Sequence, residues 1–418
     1  MLFCPYFCTQ NEKKDFTDMQ KTKKMIQAAW ILCCLLMAGC RPSAPAADRY
    51  VVVLSMDGFR SDYPGRAHTP VLDSLGKTGV KAAFRPCYPS VTFPNHYSMA
   101  TGLHPDHHGL VHNSFYDPAL DSVYTRRSTD PRFFGGEPIW NTAERQGVRT
   151  ATYYWVGSEI AVNGRQPSTW KKFDSSVPFK NRADSVIAWL RRPAETRPHL
   201  VMWYLEEPDY SGHVCTPDSA ATTRAIERVD SVLGYFFAQA RKLDIFDKTD
   251  FLVVSDHGMA TYTPEKSVDL CDYLPRDSFD HVFDGVPTLL YPKKGYADKA
   301  YEILKKVPNV TVWRKGEVPE RFVYGNNPRV SELIVAPHIG TYVVFGNRPK
   351  AKAGGAHGYD NFTPEMEGIF YAAGPSFKEH KELPAMPNVN LYLIIARLLG
   401  IQPAPNDGDS TLVEKIFG

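Results

Sequence analysis

Three short apolar runs, each ending on an acidic residue, constrain the fold of this chain more than any other feature. Tyr50-Val51-Val52-Val53-Leu54-Ser55 runs into Met56-Asp57-Gly58. His199 to Leu205 runs into Glu206-Glu207-Pro208-Asp209, and Phe251-Leu252-Val253-Val254 into Ser255-Asp256-His257-Gly258. Continuous apolar, β-branched runs of this length predict strands buried on both faces of a parallel sheet. Helical patterns fall between them, over 182–191 and 220–243, and a closing helix is expected over 386–399, followed by a Pro/Asn-rich loop from Gln402 to Asp407. Strands alternating with helices predict an α/β fold with a doubly wound, mostly parallel sheet flanked by helices. Such sheets carry their sites beyond the carboxyl ends of the strands, so the three acidic tips should meet at one edge. A Lys-, Pro- and Asn-rich stretch over 291–342, helix-like at 296–306 and strand-like at 310–313, reads as a small α/β insertion able to cap that edge.

Residues 1–39 read as a targeting segment and stand outside the fold. Lys21, Lys23 and Lys24 precede an apolar run from Met25 to Met37 that is too short to span a bilayer. Met19 would open a leader of ordinary length. Ala38-Gly39-Cys40 resembles a bacterial lipoprotein cleavage box, with Met37 where Leu is usual. Cys40 would then carry a lipid anchor, residues 40–48 would form a tether, and 49–418 the globular domain of an exported, periplasmic or membrane-anchored protein. A plain signal peptide or an uncleaved anchor is the alternative. The leader holds five Lys and three acidic residues, so the remainder carries 43 of each sign and has no broad electrostatic pull towards duplex nucleic acid. Cys87, Cys215 and Cys271 remain beyond Cys40, without CxxC spacing, and read as buried free thiols or at most one disulfide.

The acidic tips come with histidines. Asp209 and His213 stand four apart with Gly212 between, so one helical turn or a tight loop could aim both at one ion, whereas Asp256 and His257 are adjacent and need the bend that Gly258 permits. His357 lies in the glycine-rich Gly354-Gly355-Ala356-His357-Gly358-Tyr359-Asp360. Asp57, Asp209, His213, Asp256, His257 and His357 offer only carboxylate oxygen and imidazole nitrogen, a set that fits Zn²⁺ ahead of Mn²⁺, Fe²⁺ or Co²⁺. Six such ligands exceed what one tetrahedral ion needs, and two ions is the economical reading. Thr92, in Pro89-Ser90-Val91-Thr92-Phe93-Pro94-Asn95-His96, reads as a hydroxyl in a Pro-bounded loop ahead of a helical segment.

Taken in order, Ser55-Met56-Asp57-Gly58-Phe59-Arg60, the Thr92 stretch, Thr101-Gly102-Leu103-His104-Pro105, His108-Gly109, Asn113-Ser114, Glu206-Glu207-Pro208-Asp209, Gly212-His213, Ser255-Asp256-His257-Gly258-Met259 and His357-Gly358-Tyr359-Asp360 closely resemble the nucleotide pyrophosphatase/phosphodiesterase family of the alkaline phosphatase superfamily. The resemblance runs from Tyr50 to Gly418. It implies an alkaline phosphatase-like core and two zinc ions, one held by Asp209, His213 and His357, the other by Asp57, Asp256, His257 and the Thr92 oxygen. It also implies a Thr92 nucleophile, which a bound cation would have to activate because an alcohol is too weak an acid at neutral pH.

Asn113 matches a family asparagine that holds a phosphate oxygen, and this neutral donor favours diesters and phosphoanhydrides over monoesters. Phe93 sits next to the expected nucleophile and Phe173 matches a family aromatic that stacks on the nucleobase, with Phe173 where Tyr is more frequent; the two offer aromatic faces for a base. Trp155 is grouped with the substrate-binding residues, in Trp155-Val156-Gly157-Ser158-Glu159, where Val156 replaces a common Pro. The expected substrate is a small nucleotide ester, triphosphate or dinucleotide. A choline phosphoester or a phosphonate is the alternative for the same machinery, and an inactive ligand-binding lipoprotein is the alternative of another class.

Overall fold

The computed structural model describes residues 48–346, 352–377 and 380–417; the leader and Cys40 lie outside the described residues. The central sheet has eight strands. In chain order they are β1 (Tyr50–Met56), β2 (Val80–Arg85), β3 (Thr150–Tyr153), β4 (Thr169–Lys171), β5 (Leu200–Leu205), β6 (Thr249–Val254), β7 (Gly368–Ala373) and β8 (Lys381–Pro387). They lie side by side in the order β8-β2-β7-β6-β1-β5-β3-β4. Only β7 runs against its neighbours; every other adjacent pair is parallel.

Every residue of β1 and of β6 is buried, as continuous apolar strands require. Alternation along β1 feeds two cores. Val52, Leu54 and Met56 face a layer built from the helices Phe179–Leu190 and Ala220–Ala240, whose Val186, Ile187, Val229, Leu233 and Phe236 recur at helical spacing. Val51 and Val53 face the opposite layer, where Met99, Trp140, Leu391 and Ile395 pack. Truncating one of these fully buried aliphatic side chains to Ala would cost about 2–5 kcal/mol.

The closing helix starts at Asn390, after the expected Met386, because Lys381–Pro387 forms the edge strand β8. Pro384 and Pro387 lack the N–H that a helix interior needs. A further short helix, Ser410–Phe417, follows. The small α/β layer begins at Phe279, twelve residues before the expected boundary. Its antiparallel sheet has the order Phe279–Phe283, Thr288–Pro292, Leu333–Pro337, Val310–Arg314, with the helix Ala297–Leu304 packed on it. Leu289, Phe322, Tyr324 and Ile334 from this layer bury against Tyr88, Tyr97 and Leu110 of the main body. Arg329 ties the two together: its guanidinium donates to the carbonyls of Gly109 and Phe133 and pairs with Asp117 at 2.7 Å. Among the described residues the three cysteines are free thiols, with Cys87 buried and Cys215 and Cys271 exposed, where the sequence reading expects all three to be buried.

Candidate active site

The three acid-tipped strands are the central neighbours β6, β1 and β5, so their tips converge by topology. Backbone bonds lock the convergence: Asp57 N–H donates to Leu205 O at 2.9 Å, and Asp209 N–H donates to Asp57 O at 3.0 Å. Gly58 is required here. Its φ is +63°, and a Cβ at this position would lie 2.9 Å from the Asp209 backbone. The helix Asp209–Cys215 places Asp209 and His213 one turn apart, one of the two arrangements their spacing allows.

Thr92 is the first residue of the helix Thr92–Thr101, so the loop expected over 89–96 stops at Val91 and its second half, with Pro94 tolerated in the first turn, is helical. The approach to it is knotted by buried Asn95, whose amide donates to Pro89 O and Val91 O, both at 2.9 Å, and whose Oδ1 accepts Cys87 N–H at 2.7 Å. The half-buried Thr92 Oγ1 lies 3.2 Å from His257 Nε2.

Three histidines share one orientation. Nδ1 of His213, His257 and His357 donates to a backbone carbonyl, of Gly355 (2.8 Å), Gly258 (2.8 Å) and Ser90 (2.9 Å) respectively. With Nδ1 so engaged, each ring turns its Nε2 inward. Nε2 of His213 and His357 face each other at 3.1 Å, and Asp209 Oδ1 lies 3.4 and 3.7 Å from them. Around the other tip, His257 Nε2 lies 3.4 Å from Asp57 Oδ1 and 3.1 Å from Asp256 Oδ2. Asp57 Oδ1, Asp209 Oδ1 and Asp256 Oδ2 are all buried without a hydrogen-bond donor. Opposed lone pairs and donorless buried carboxylate oxygens repel one another. Such an arrangement is compensated by cations, and oxygen with imidazole nitrogen is a divalent-metal ligand set. The ligand atoms of Asp209, His213 and His357 lie within 4.8 Å of one another, as do those of Asp57, Asp209 and His257, and those of Asp57, His96 and Asp256.

Electrostatics agree with this chemistry. Burial, then the charges of Asp256 and Asp209, push the Asp57 carboxyl well above its ordinary range. Burial acts on Asp256 in the same sense, but His257 and His96 outweigh it and hold this carboxyl low. Burial, reinforced by His257 and His213, drives His357 well below the ordinary imidazole range, leaving it a neutral ligand.

Asn113 stands at the start of the Thr92–Thr101 helix, where its Oδ1 accepts Phe93 N–H at 3.0 Å. Phe93 is half-buried beside it. Phe173 is 49% exposed and packs edge-on against Tyr154, with ring centroids 5.1 Å apart. Trp155 is elsewhere: it is 1% exposed, its indole N–H donates to His96 O at 3.0 Å, and its ring meets the His96 ring edge-on. It braces the Thr92–Thr101 helix through His96 and is buried from solvent, so it is not exposed to bind a substrate directly, contrary to expectation.

Three further residues complete the site. Tyr204 donates its hydroxyl to Asp57 Oδ2 at 2.5 Å, and burial together with that carboxylate's charge keeps the phenol protonated. Buried His96 places Nδ1 3.0 Å from Thr92 O and 3.2 Å from Asp256 Oδ2, while Ser55 Oγ meets its Nε2 at 2.9 Å. Two signals were present in the sequence. His96 is four residues after Thr92, one helical turn away, and Ser55 and Tyr204 are polar atoms set just before acidic strand ends.

Comparison with known proteins reaches the same place. A model of the family "Type I phosphodiesterase / nucleotide pyrophosphatase" matches residues 51–360, which includes every convergent ligand. Ectonucleotide pyrophosphatase/phosphodiesterase family member 3 of Rattus norvegicus is 33% identical over 375 residues, covering 86% of this chain and 43% of that protein. Venom phosphodiesterase CdcPDE of Crotalus durissus collilineatus is 33% identical over 382 residues, covering 86% and 45%. The chain thus spans less than half the length of these two relatives. The solved structure of murine ectonucleotide pyrophosphatase/phosphodiesterase 5 superposes with a TM-score of 0.85 at 31% identity, covering 88% of this chain and 100% of that one. An inactive variant of the murine protein in complex with AMP superposes equally well. With its ordered motifs, its acid-tipped parallel sheet and this match over most of its length, the chain belongs to the type I phosphodiesterase/nucleotide pyrophosphatase family of the alkaline phosphatase superfamily.

Proposed function

We propose that this protein hydrolyses phosphodiester or phosphoanhydride bonds of nucleotides, releasing nucleoside 5′-monophosphates through a phosphorylated Thr92. One observation carries the reading: the Thr92 hydroxyl stands at the first turn of a helix, 3.2 Å from one of the inward-facing imidazoles of a cluster whose carboxylate oxygens lack donors. Asp209, His213 and His357 would hold one zinc ion, and Asp57, Asp256 and His257 a second beside Thr92. When bound, the ions supply the positive charge that makes an alcohol acidic at neutral pH and offsets charge on the leaving oxygen.

The chain's own residues do the rest. Tyr204 orients Asp57, and the carbonyls of Gly355, Gly258 and Ser90 fix the three imidazoles. Thr92 Oγ attacks phosphorus, gives up its proton and displaces the leaving oxygen; water then cleaves the Thr92–phosphate bond from the opposite side. Two inversions give retention at phosphorus. Asn113, its Oδ1 engaged by Phe93 N–H, turns its amide donors towards a non-bridging oxygen, and this neutral donor matches the single charge of a diester. Phe173 and Phe93 provide aromatic faces for the base, worth roughly 1–3 kcal/mol per stacked base. The AMP bound to the murine neighbour supports a nucleotide as the kind of substrate. Export, with a lipid on Cys40, completes the proposal.

The test compares p-nitrophenyl thymidine monophosphate with p-nitrophenyl phosphate, with zinc and with chelator. Diester turnover should dominate, vanish with chelator and return with zinc. Faster monoester hydrolysis would sink the reading.

A further inference from the structure

Ligand-type side chains also meet at the other end of the nucleophile helix. Ten residues separate the two ends, about 15 Å along the axis. The helix closes on Gly102, whose φ of +68° turns the chain into Leu103-His104-Pro105. The C-terminal loop comes back to this turn, and Asp407 N–H donates to Gly102 O at 2.7 Å. Its carboxylate sits between two imidazoles. Asp407 Oδ2 accepts His104 N–H at 2.7 Å and lies 2.9 Å from His104 Nδ1 and 2.6 Å from His107 Nδ1.

One carboxylate oxygen thus gathers three nitrogen atoms, and ligand atoms of all three residues lie within 4.8 Å of one another. Burial works against charge on Asp407, but its bonds to His104 and His107 hold the carboxyl well below the ordinary range, so it is an anion at neutral pH. The side chains of His104, His107 and Asp407 are 21%, 49% and 22% exposed, which leaves the cluster open to an ion from solvent.

We propose that His104, His107 and Asp407 form a structural site for a divalent transition-metal ion of the zinc type, distinct from the catalytic edge, that staples the C-terminal loop to the end of the nucleophile helix. Two imidazole nitrogens and one carboxylate oxygen, completed by water, are a tetrahedral zinc set. Binding needs each imidazole to present Nδ1 as a lone pair, its ring proton carried on Nε2 instead, and leaves the His104 backbone N–H on Asp407 Oδ2 as the bond that orients the carboxylate. Turning the half-exposed His107 ring opens its 2.6 Å contact towards the roughly 3.3 Å that separates two ligands of one tetrahedral zinc. The site does not depend on which ester the enzyme cleaves.

The experiment counts bound zinc in the full chain, stripped with chelator and equilibrated by dialysis against micromolar ZnCl₂. His107→Ala and Asp407→Asn should each hold one ion fewer than wild type while hydrolysing a nucleotide diester at the wild-type rate. In an Asp209→Asn, His213→Ala background, where turnover is lost, adding His107→Ala should still remove one more ion and the part of the zinc-induced rise in Tm that it supports. Equal zinc counts in wild type and His107→Ala would overturn the proposal, whatever the activities show about the catalytic edge.

Discussion

Asp250 and Asp256 lie six residues apart, at the two ends of β6, and both are fully buried. Asp250 has donors on both oxygens: Ser376 N–H at 2.9 Å on Oδ1 and the Ser376 hydroxyl at 2.8 Å on Oδ2. Asp256 takes donors on Oδ1 only, from Gly58 N–H at 3.2 Å and the Ser255 hydroxyl at 3.5 Å, and its buried Oδ2 faces the imidazoles of His257 at 3.1 Å and His96 at 3.2 Å without a hydrogen bond. Burial alone does not separate the two residues. The difference lies in what answers the charge: at one end of the strand the fold supplies every donor, and at the other it leaves the charge for something the chain must acquire.

The sharpest way to break this contrast is at the hydroxyl that the unanswered end would activate. Thr92→Ala should lower diester turnover roughly 10⁴-fold or more, with unchanged circular dichroism, because no other hydroxyl can replace a lost nucleophile. Retained turnover would remove the reason for reading the donorless carboxylates as a catalytic centre. Tyr204→Phe deletes the donor to Asp57 and should weaken zinc affinity roughly 10–100-fold, measured by competition with a chelating dye, with less change in turnover at saturating zinc. Phe173→Ala should raise KM roughly tenfold at nearly constant kcat on nucleotide substrates, the equivalent of one stacked base. It should leave bis-p-nitrophenyl phosphate, which has no base, unaffected.

The smallest effect belongs to the satisfied end. Burial lifts the Asp250 carboxyl above its ordinary range, and the Ser376 donors only partly pull it back. A raised folded-state pKa means that the carboxyl's contribution to stability is complete below the unfolded value, near pH 4, and is lost as pH rises through the folded value. Wild type should therefore lose ground against Asp250→Asn by roughly 1–2 °C in Tm between pH 4 and pH 7, read by calorimetry at each pH. A shift in the other direction would mean that the serine donors outweigh burial.

The sequence was most legible where local pattern and burial coincide. β1, β5 and β6 are continuous apolar runs, and their acidic ends could be placed at one edge from the rules of parallel sheets alone. The Asp209-to-His213 spacing is compatible with a helical turn or a tight loop, and the helix Asp209–Cys215 is the one the chain adopts. Boundaries set by long-range pairing were less legible. Phe279–Phe283 is a strand because Thr288–Pro292 pairs with it, and Lys381–Pro387 is one because β2 does. Trp155 and Tyr204 show the limit for the site. Both read as aromatic residues beside functional motifs, and only their partners, a carbonyl for one and a carboxylate for the other, separate a brace from a member of the site.

The ligand set is scattered along the chain from Asp57 to His357, brought together by strands whose partners come from distant segments. Seen as a sequence of events in time, this dispersal is a safeguard. Synthesis delivers Asp57 early and His357 near the end, and β7, which follows His357, must still add to β6 and β2 before the edge is finished. No nascent or truncated fragment that stops short of His357 holds the full constellation. Under the proposed mechanism, the chemistry therefore waits until β7 has paired with β6 and β2.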